Sequence, residues 1–559
     1  MTITGVIIQT LGGLGLFILG MKMMTDGLQM SAGDKIKKIL SAVSSNRVLG
    51  CATGAGVTAI IQSSSATTVM IISFVGAGLM NIQQAVSVIL GANIGTTVTA
   101  QMIAFQLTSA ALPAIAIGVL LKFFSKRRRY RYIGEIILGF GLLFYGMTVM
   151  KHGLGPIRHD PAFVDFFTQF TGDTMGSRLL CVATGAILTI MVQSSSATVG
   201  LTMTLAMQGL LTFPAAMALV LGENIGTTIT AQLATIGSNN TNTHRTANAH
   251  TMFNVIGVCI MFMIFPYFIT FVELASSALG AGPLTEVVNG DAVNISRYIA
   301  NGHTAFNVVS AVIFLIFLPW LVKLATLVSP EEAHEEQDLL QLPKFDNRYL
   351  DNPIAAITHV RSEIVRMAET SLVTLNNTIE AFEKKDTKTL HKWHRYEQHL
   401  DAMQHGIIIH LTQIFQGEVN PAEAKELSGM MRMTNNVERV GDSVENIALI
   451  FEDIIEDRIS FSEKALSDIK TISQESVAFL ILVKDAIQRK PDHFWRDAQI
   501  KENNIDIMRE EMRDDHIHRL QKGICSDDAG LKFSDILSNF EKIGDYCYNI
   551  AQAVEGIKY

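Results

Sequence analysis

Charge is scarce in this sequence, and so is any disulfide or zinc pattern. Only 17% of the 559 residues are charged, against about 25% in ordinary soluble domains. Mean hydropathy is +0.29. No Asp, Glu, Lys or Arg occurs from Val48 to Leu121, and only Glu223 from Leu179 to His244. A spanning helix needs about 20 apolar residues, so each stretch holds several membrane passes. The five cysteines, Cys51, Cys181, Cys259, Cys525 and Cys547, form no CxxC pair, which excludes a disulfide framework and a zinc ribbon. They read as small buried apolar residues. No Gly-x-x-x-x-Gly-Lys string and no nucleophile–base arrangement is present, which argues against an ATP-driven pump and against an enzyme.

The low average charge hides two unlike halves. Residues 1–329 hold 17 Lys/Arg and 10 Asp/Glu, a net charge of +7, whereas residues 330–559 hold 27 and 42, a net charge of −15. No basic reading surface for nucleic acid emerges from either half. The first apolar stretch, Val6–Met24, has no basic segment before it and no small-residue cleavage site after it, so it reads as an uncleaved first span. Further spans are expected at about 132–150, 249–272 and 298–323. The basic run Lys126–Arg129, flanked by Lys122 and Arg131, reads as cytoplasmic by the positive-inside rule. Contact with anionic lipid head groups is the alternative.

An internal repeat organises the membrane half. Arg47–Phe105 aligns without a gap onto Arg178–Ile236, with 26 identities in 59 positions. Gln62-Ser63-Ser64-Ser65 recurs as Gln193-Ser194-Ser195-Ser196. Asn93-Ile-Gly-Thr96-Thr97 recurs as Asn224-Ile-Gly-Thr227-Thr228, and Thr99-Ala-Gln101 as Thr230-Ala-Gln232. Upstream, Gly20-Met21 and Gly27-Leu28 recur as Gly146-Met147 and Gly153-Leu154. The expected units are repeat one at about 5–124, repeat two at about 132–272 and a further span at about 298–323. Duplicated membrane units with interrupted apolar segments mark secondary transporters, whose sites lie where the copies meet.

Three consecutive serines cannot share one helical face, because successive residues turn by about 100°. A broken helix solves this. Its free N–H groups and hydroxyls then converge at the positive end of a helix dipole, an anion cradle made without a lysine. Gly91, Gly95, Gly222 and Gly226 are expected to permit unwinding around Asn93 and Asn224. The freed carbonyls, with Asn and Thr oxygens, are hard ligands for sodium. Close helix packing is the competing account of these small residues, and the preferred one for Gly50, Gly54 and Gly185. Glu223 stands where the first copy has Ala92, and an intramembrane carboxylate is a candidate for ion coordination or proton linkage. A second short repeat, Asn248-Ala-His250-Thr251-Met-Phe-Asn254 and Asn301-Gly-His303-Thr304-Ala-Phe-Asn307, is open to two accounts, a packing motif or a wall of the pathway.

The acidic half reads as a linker over 330–352 and a helical domain over 353–559. It also repeats: Asn436–Asp442 recurs as Asn539–Asp545, and Glu397-x3-Asp401 as Glu502-x3-Asp506. Residues i and i+4 share a helical face, which aligns Glu438 with Asp442 and Glu541 with Asp545. Such pairs are candidates for metal binding, as in carboxylate bundles, or for a solvated acidic face.

The doubled Gln-Ser-Ser-Ser strings, each followed by Gly-x-Asn-Ile-Gly-Thr-Thr, resemble the type II sodium-dependent phosphate cotransporter family over about residues 1–325. The acidic half resembles the phosphate-transport regulator PhoU, through Glu438-Arg-Val-Gly-Asp442 and Glu541-Lys-Ile-Gly-Asp545. The resemblance implies an all-α fold: a polytopic membrane protein with two inverted repeats and re-entrant hairpins, followed by a soluble helical-bundle domain. It implies phosphate binding by Gln62, Ser63, Ser64, Ser65, Gln193, Ser194, Ser195 and Ser196. Asn93, Thr96, Thr97, Asn224, Thr227 and Thr228 become sodium or supporting ligands, with Glu223 a departure that bears on coupling. For the PhoU-like half it implies a divalent, iron or zinc ion at the acidic repeats and a role among phosphate-regulatory proteins. The expected function is sodium-coupled phosphate transport across the cytoplasmic membrane, with a cytoplasmic regulatory domain. The alternatives are a membrane-anchored phosphate sensor, and a phosphate exporter or channel.

Overall fold

The computed structural model describes residues 3–41, 46–156, 169–236, 240–288, 290–329, 340, 342–343, 345, 353–417, 419, 421–489, 491 and 493–557. Most of the expected linker 330–352 lies outside the described residues. Apart from the turn Gly76–Leu79, the chain divides at 331/332 into two compact units.

The first unit is helical. It runs α1 (Ile3–Ser41), α2 (Arg47–Ile61), α3 (Ser64–Gly76), α4 (Ile82–Ala104), α5 (Ala111–Phe124), α6 (Arg128–Leu154), α7 (Met175–Val192), α8 (Ser195–Met207), α9 (Phe213–Thr227), α10 (Ile229–Ala234), α11 (Thr241–Met263) and α12 (Phe265–Ala278). After a two-residue hairpin, β1 (Val287–Val288) with β2 (Asp291–Ala292), come α13 (Ile295–Ile316) and α14 (Leu318–Val328). Six of the described helices are long and apolar enough to cross a membrane.

The expected spans at 249–272 and 298–323 are each two helices. Pro266 and Pro319 sit in the first turn of α12 and α14. Proline has no N–H to continue the preceding helix, so the chain bends at Ile264 and at Phe317.

Helix α1 and its equivalent in the second copy, α6, run antiparallel. A Cβ on Gly13 would lie 2.5 Å from the Met150 nitrogen, one on Gly20 2.4 Å from that of Leu143, and one on Gly27 3.1 Å from the Tyr132 oxygen. The α1 positions rise by seven as their partners on α6 fall, so glycines spaced by a heptad bring two backbones into contact. The Gly20-Met21 and Gly146-Met147 strings mark α1 and α6 as counterparts. Their opposed directions make the repeats inverted.

The second unit is a helical bundle: α15 (Pro353–Lys384), α16 (Thr387–Leu390), α17 (Trp393–Gln416), α18 (Pro421–Glu456), α19 (Glu463–Arg489), α20 (Phe494–Gln521) and α21 (Asp527–Glu555). Its core is read from apolar spacing: Leu427, Met430, Val437, Val440, Val444, Ile447 and Phe451 of α18 are all buried, at the i, i+3, i+4 intervals of one face. Helices α15 and α18 end at Lys385 (φ 54°) and Arg458 (φ 53°). Each closes a turn in which Asp386 N–H donates to Ala381 (2.9 Å) and Ile459 N–H to Ile454 (3.0 Å). Glycine is the usual residue there, and a side chain in that conformation costs about 1–3 kcal/mol.

Candidate functional site

The two Gln-Ser-Ser-Ser strings break their helices at matching points. Helix α2 ends at Gln62 (φ 62°) and α7 at Gln193 (φ 54°), both left-handed and neither glycine. Ser63 and Ser194 then cap the next helices: Ser63 Oγ accepts from Ala66 N–H (3.1 Å) and Ser194 Oγ from Ala197 N–H (3.3 Å). Hydroxyl contacts hold each reversal, Thr58 to Thr67 at 3.0 Å and Thr189 to Thr198 at 2.9 Å. With 15 and 13 residues, α2 and α3 are roughly 22 and 20 Å long. Both fall short of the roughly 30 Å hydrocarbon core, so the pair is a re-entrant hairpin.

The two hairpin tips meet at one cavity of about 170 Å³. It is lined by Gln62, Ser63, Ser64 and Ser65, by Gln193, Ser194, Ser195 and Ser196, and by Ile18, Met21, Lys22, Thr25 and Asp26 of α1. A single water needs about 10–15 Å³ of such volume, so the cavity has room for a small oxyanion with part of its shell. The first N–H groups of a helix lack intrahelical acceptors, so the starts of α3 and α8 present donors here. The cradle is not free of lysine, as the motif alone suggested: Lys22 lines it, opposite in sign to Asp26.

The Asn-Ile-Gly-Thr-Thr strings are helical. Helix α4 runs unbroken through Asn93, and α9 is interrupted only after Thr227. This corrects the expected unwinding. The glycines serve close approach instead: a Cβ on Gly91 would lie 1.8 Å from the Cys51 oxygen, and one on Gly222 1.9 Å from that of Val182. Gly95 and Gly226 face Ala55 and Ala186 in the same way, and Gly54 and Gly185 face Val88 and Leu219. With the helices intact, no backbone carbonyls are freed around Asn93. Thr96, Thr97, Thr227 and Thr228 donate to carbonyls of their own helices, which leaves their oxygen lone pairs as acceptors.

These strings are laced to the second short repeat, and the lacing crosses. Asn93 donates to Asn254 (3.0 Å), while Gln101 of the same helix donates to Asn301 (3.1 Å) and Thr304 (3.0 Å). Asn307 donates to Asn224 (3.2 Å), while Gln232 donates to Asn248 (3.1 Å) and Thr251 (2.8 Å). Helices α11 and α13 thus each hold both copies. Two links reach the hairpins: Thr99 donates to Gln62 Oε1 (2.8 Å), and Thr230 to Ser65 (3.4 Å). Glu223 is 2% exposed; Thr202 donates to its Oε1 (2.8 Å), and its Oε2 has no hydrogen-bond partner.

In the bundle, Asp401 of α17 joins Glu438 and Asp442 of α18, with carboxylate oxygens all within 4.8 Å of one another. Partial burial, then the neighbouring carboxylates, hold Glu438 and Asp442 above the usual carboxylate range. Glu397 and Glu445 are raised for the same reasons. An all-oxygen acidic donor set suits a hard divalent cation better than zinc, which favours nitrogen and sulfur. The second acidic pair is arranged differently. Glu541 pairs with Arg509 at 3.6 Å, and among the described residues Glu541 and Asp545 form no comparable three-carboxylate group.

Motif reading missed Lys22, Thr25 and Asp26, because they do not recur: the upstream repeat places Thr148, Lys151 and His152 at their positions. It also missed Thr99, Thr230, Gln101 and Gln232 as contact residues, although their recurrence was visible.

The comparisons agree with this architecture. The model of the Na+/Pi-cotransporter family matches residues 16–152 and 160–285, and that of the PhoU domain matches 364–451 and 469–554. YjbB of Escherichia coli (strain K12), provisionally named an inorganic phosphate export protein, is 24% identical over 98% of this chain and 97% of its own. YqeW of Bacillus subtilis (strain 168), an uncharacterized protein, is 32% identical over 56% of this chain and 95% of its own. The sodium-dependent phosphate transport protein 2A of Rattus norvegicus is 38% identical over 17% of this chain and 15% of its own. No solved structure is significantly similar to the chain. Six apolar helices, doubled hairpin breaks over one cavity and a family match in each half lead to one assignment: this chain is a multi-pass membrane protein of the Na+/Pi-cotransporter family, a family of transporters rather than enzymes, with a helical PhoU domain after its membrane core.

Proposed function

We propose that this protein moves inorganic phosphate across the cytoplasmic membrane by alternating access, coupled to sodium, with its PhoU domain on the cytoplasmic side as regulator. The observation that carries the reading is the convergence of both Gln-Ser-Ser-Ser breaks and Lys22 on one cavity. In this reading Gln62, Ser63, Ser64, Ser65, Gln193, Ser194, Ser195 and Ser196 bind phosphate through hydroxyl, amide and helix-start N–H donors, and Lys22 adds charge. Donors that are neutral apart from Lys22, whose charge is offset by Asp26 in the same lining, keep the anion bound loosely enough for release. Asn93, Thr96, Thr97, Asn224, Thr227 and Thr228 supply oxygens for sodium. The unpartnered Glu223 oxygen marks where the second copy departs from the first. In the bundle, Asp401, Glu438 and Asp442 hold a hard divalent cation that neutralises their repulsion and ties α17 to α18. Glu541 and Asp545, with Glu502 and Asp506, form a looser counterpart.

Net export is the second reading. A specific observation favours it: the relative named for phosphate export matches the whole chain, soluble half included, whereas the relative named for sodium dependence matches only 98 residues.

Labelled-phosphate flux in proteoliposomes under imposed sodium, potassium or proton gradients tests both. Accumulation driven by sodium supports coupled transport. Efflux insensitive to sodium supports the export reading. Bound phosphate with no flux under any gradient overturns both and leaves a sensor. Wild-type flux in both Ser64→Ala and Ser195→Ala removes the phosphate assignment of the hairpin tips.

A further inference from the structure

A cavity of about 840 Å³ opens in the helical bundle where the ends of α15 and α18 meet the start of α19. Small-molecule sites span about 300–1,000 Å³. Phe382, Phe451, Ile454, Ile459, Phe461 and Leu466 line it, and the Phe382 and Phe451 rings stack with centroids 3.9 Å apart. The buried hydroxyl of Ser473 donates to its own helix at Lys470 (2.9 Å), so its proton is already spent. The rim is basic. Glu383 is neutralised by Lys470 at 3.2 Å, and Asp386 is occupied capping α16 through the N–H groups of Lys388 and Thr389. Lys385 and Arg458 remain, and among the described residues neither forms an ion pair. Both are the left-handed residues that close α15 and α18. Two long cations stand where glycine is the easier choice, both lining one cavity, on a half of the chain with net charge −15.

We propose that this cavity binds an anionic amphiphile: a hydrocarbon chain on the apolar floor, with a carboxylate or phosphate head held by Lys385 and Arg458. Ser460 and Ser467 also line the cavity but at exposed positions, so apart from Ser473 the buried floor is apolar and suits an acyl chain, which needs no polar partner. The site is separate from the hairpin cavity and from the acidic cluster, and its occupant is a candidate regulator of the bundle.

The test uses the full chain in phosphatidylcholine nanodiscs, a diazirine-bearing palmitate, ultraviolet crosslinking and peptide mapping. Label is expected on peptides 379–385 and 454–470, competed by unlabelled palmitate. K385E/R458E, both at exposed positions, is expected to lower that label at least five-fold while label on the membrane half stays unchanged. Leu466→Trp, which fills the mouth, is expected to do the same with an unchanged melting temperature. A lysophosphatidate probe with the same dependence on Lys385 and Arg458 supports a phosphate head. Uniform labelling insensitive to these variants overturns the proposal. So does labelling of the same peptides by azido-ATP that ATP competes and palmitate does not. So does a chain that L466W converts from dimer to monomer without palmitate label, since a second copy then covers the cavity.

Discussion

Replacing Gly91 by alanine tests whether the helix crossings set the hairpin position. The added Cβ would sit 1.8 Å from the Cys51 oxygen, where real Cβ contacts essentially never fall below 3.0 Å. The obstacle is backbone on both sides, so no rotamer change relieves it. Helices α2 and α4 must separate by at least 1.2 Å, the difference between those distances. Overpacking of this kind costs about 1–3 kcal/mol. Helix α2 carries Gln62 at its tip, so the shift passes to the cavity, where a 1 Å misplacement can cost about 100-fold in a positioned site. The same substitution at Gly56, on α2 with nothing within 4 Å, is the control and gains up to about 1 kcal/mol of helix propensity. Thermal unfolding and labelled-phosphate flux are measured on both variants. Gly91→Ala is expected to lower the melting temperature and to reduce flux at least ten-fold, with Gly56→Ala at or above wild type. Equal flux and melting temperature in the two variants would refute the argument.

Other expectations follow from the same geometry. Lys22→Ala is expected to weaken apparent phosphate affinity by about three- to ten-fold, since charge-assisted hydrogen bonds contribute more than neutral ones, and Lys22→Glu more strongly; phosphate titration of flux checks both. Asn93→Ala and Asn254→Ala, alone and together, are expected to show a coupling of about 1 kcal/mol in unfolding, and full additivity would dissolve the pair. Carboxyls raised in the folded bundle favour it fully below their unfolded pKa, and lose that contribution as pH rises through the raised folded values. Amide exchange in α17 and α18, corrected for intrinsic rates, is therefore expected to quicken from pH 4 toward 7. Magnesium or manganese is expected to slow it again at pH 7, and Asp442→Asn to abolish the metal effect.

Much of this fold is legible in the sequence, for identifiable reasons. Hydropathy and the absence of charge locate the membrane half. The serine triplet cannot lie on one helical face, which makes a break the way to bring all three hydroxyls into one cavity, and the break is found at Gln62 and Gln193. The glycines are where the reading fails. Glycine permits both unwinding and close approach, and only the distance from Gly91 to Cys51 decides between them. Lys22 and Asp26 are illegible from the repeat, because their equivalents in α6 are Thr148 and His152. The Asn93–Asn254 and Asn224–Asn307 pairs join residues 161 and 83 positions apart, beyond any local rule. The acidic pairs are legible as faces of helices, but which of them gathers a third carboxylate depends on how α17 lies against α18.

The crossed amide lacing also bears on which parts of the membrane core can move together in the proposed transport. A motion that pulls the two copies apart must break the Asn–Asn and Gln–Asn contacts on both α11 and α13, at about 0.5–1.5 kcal/mol for each bond. Helices α1 and α6 meet each other along a smooth glycine seam, and the Phe17 ring of α1 lies flush against Gly200 of the second hairpin. Under the alternating-access proposal, the laced assembly is therefore expected to move as one body against α1 and α6. Lys22 and Asp26 belong to α1, so in that proposed motion both hairpin tips would pass a fixed pair of charges.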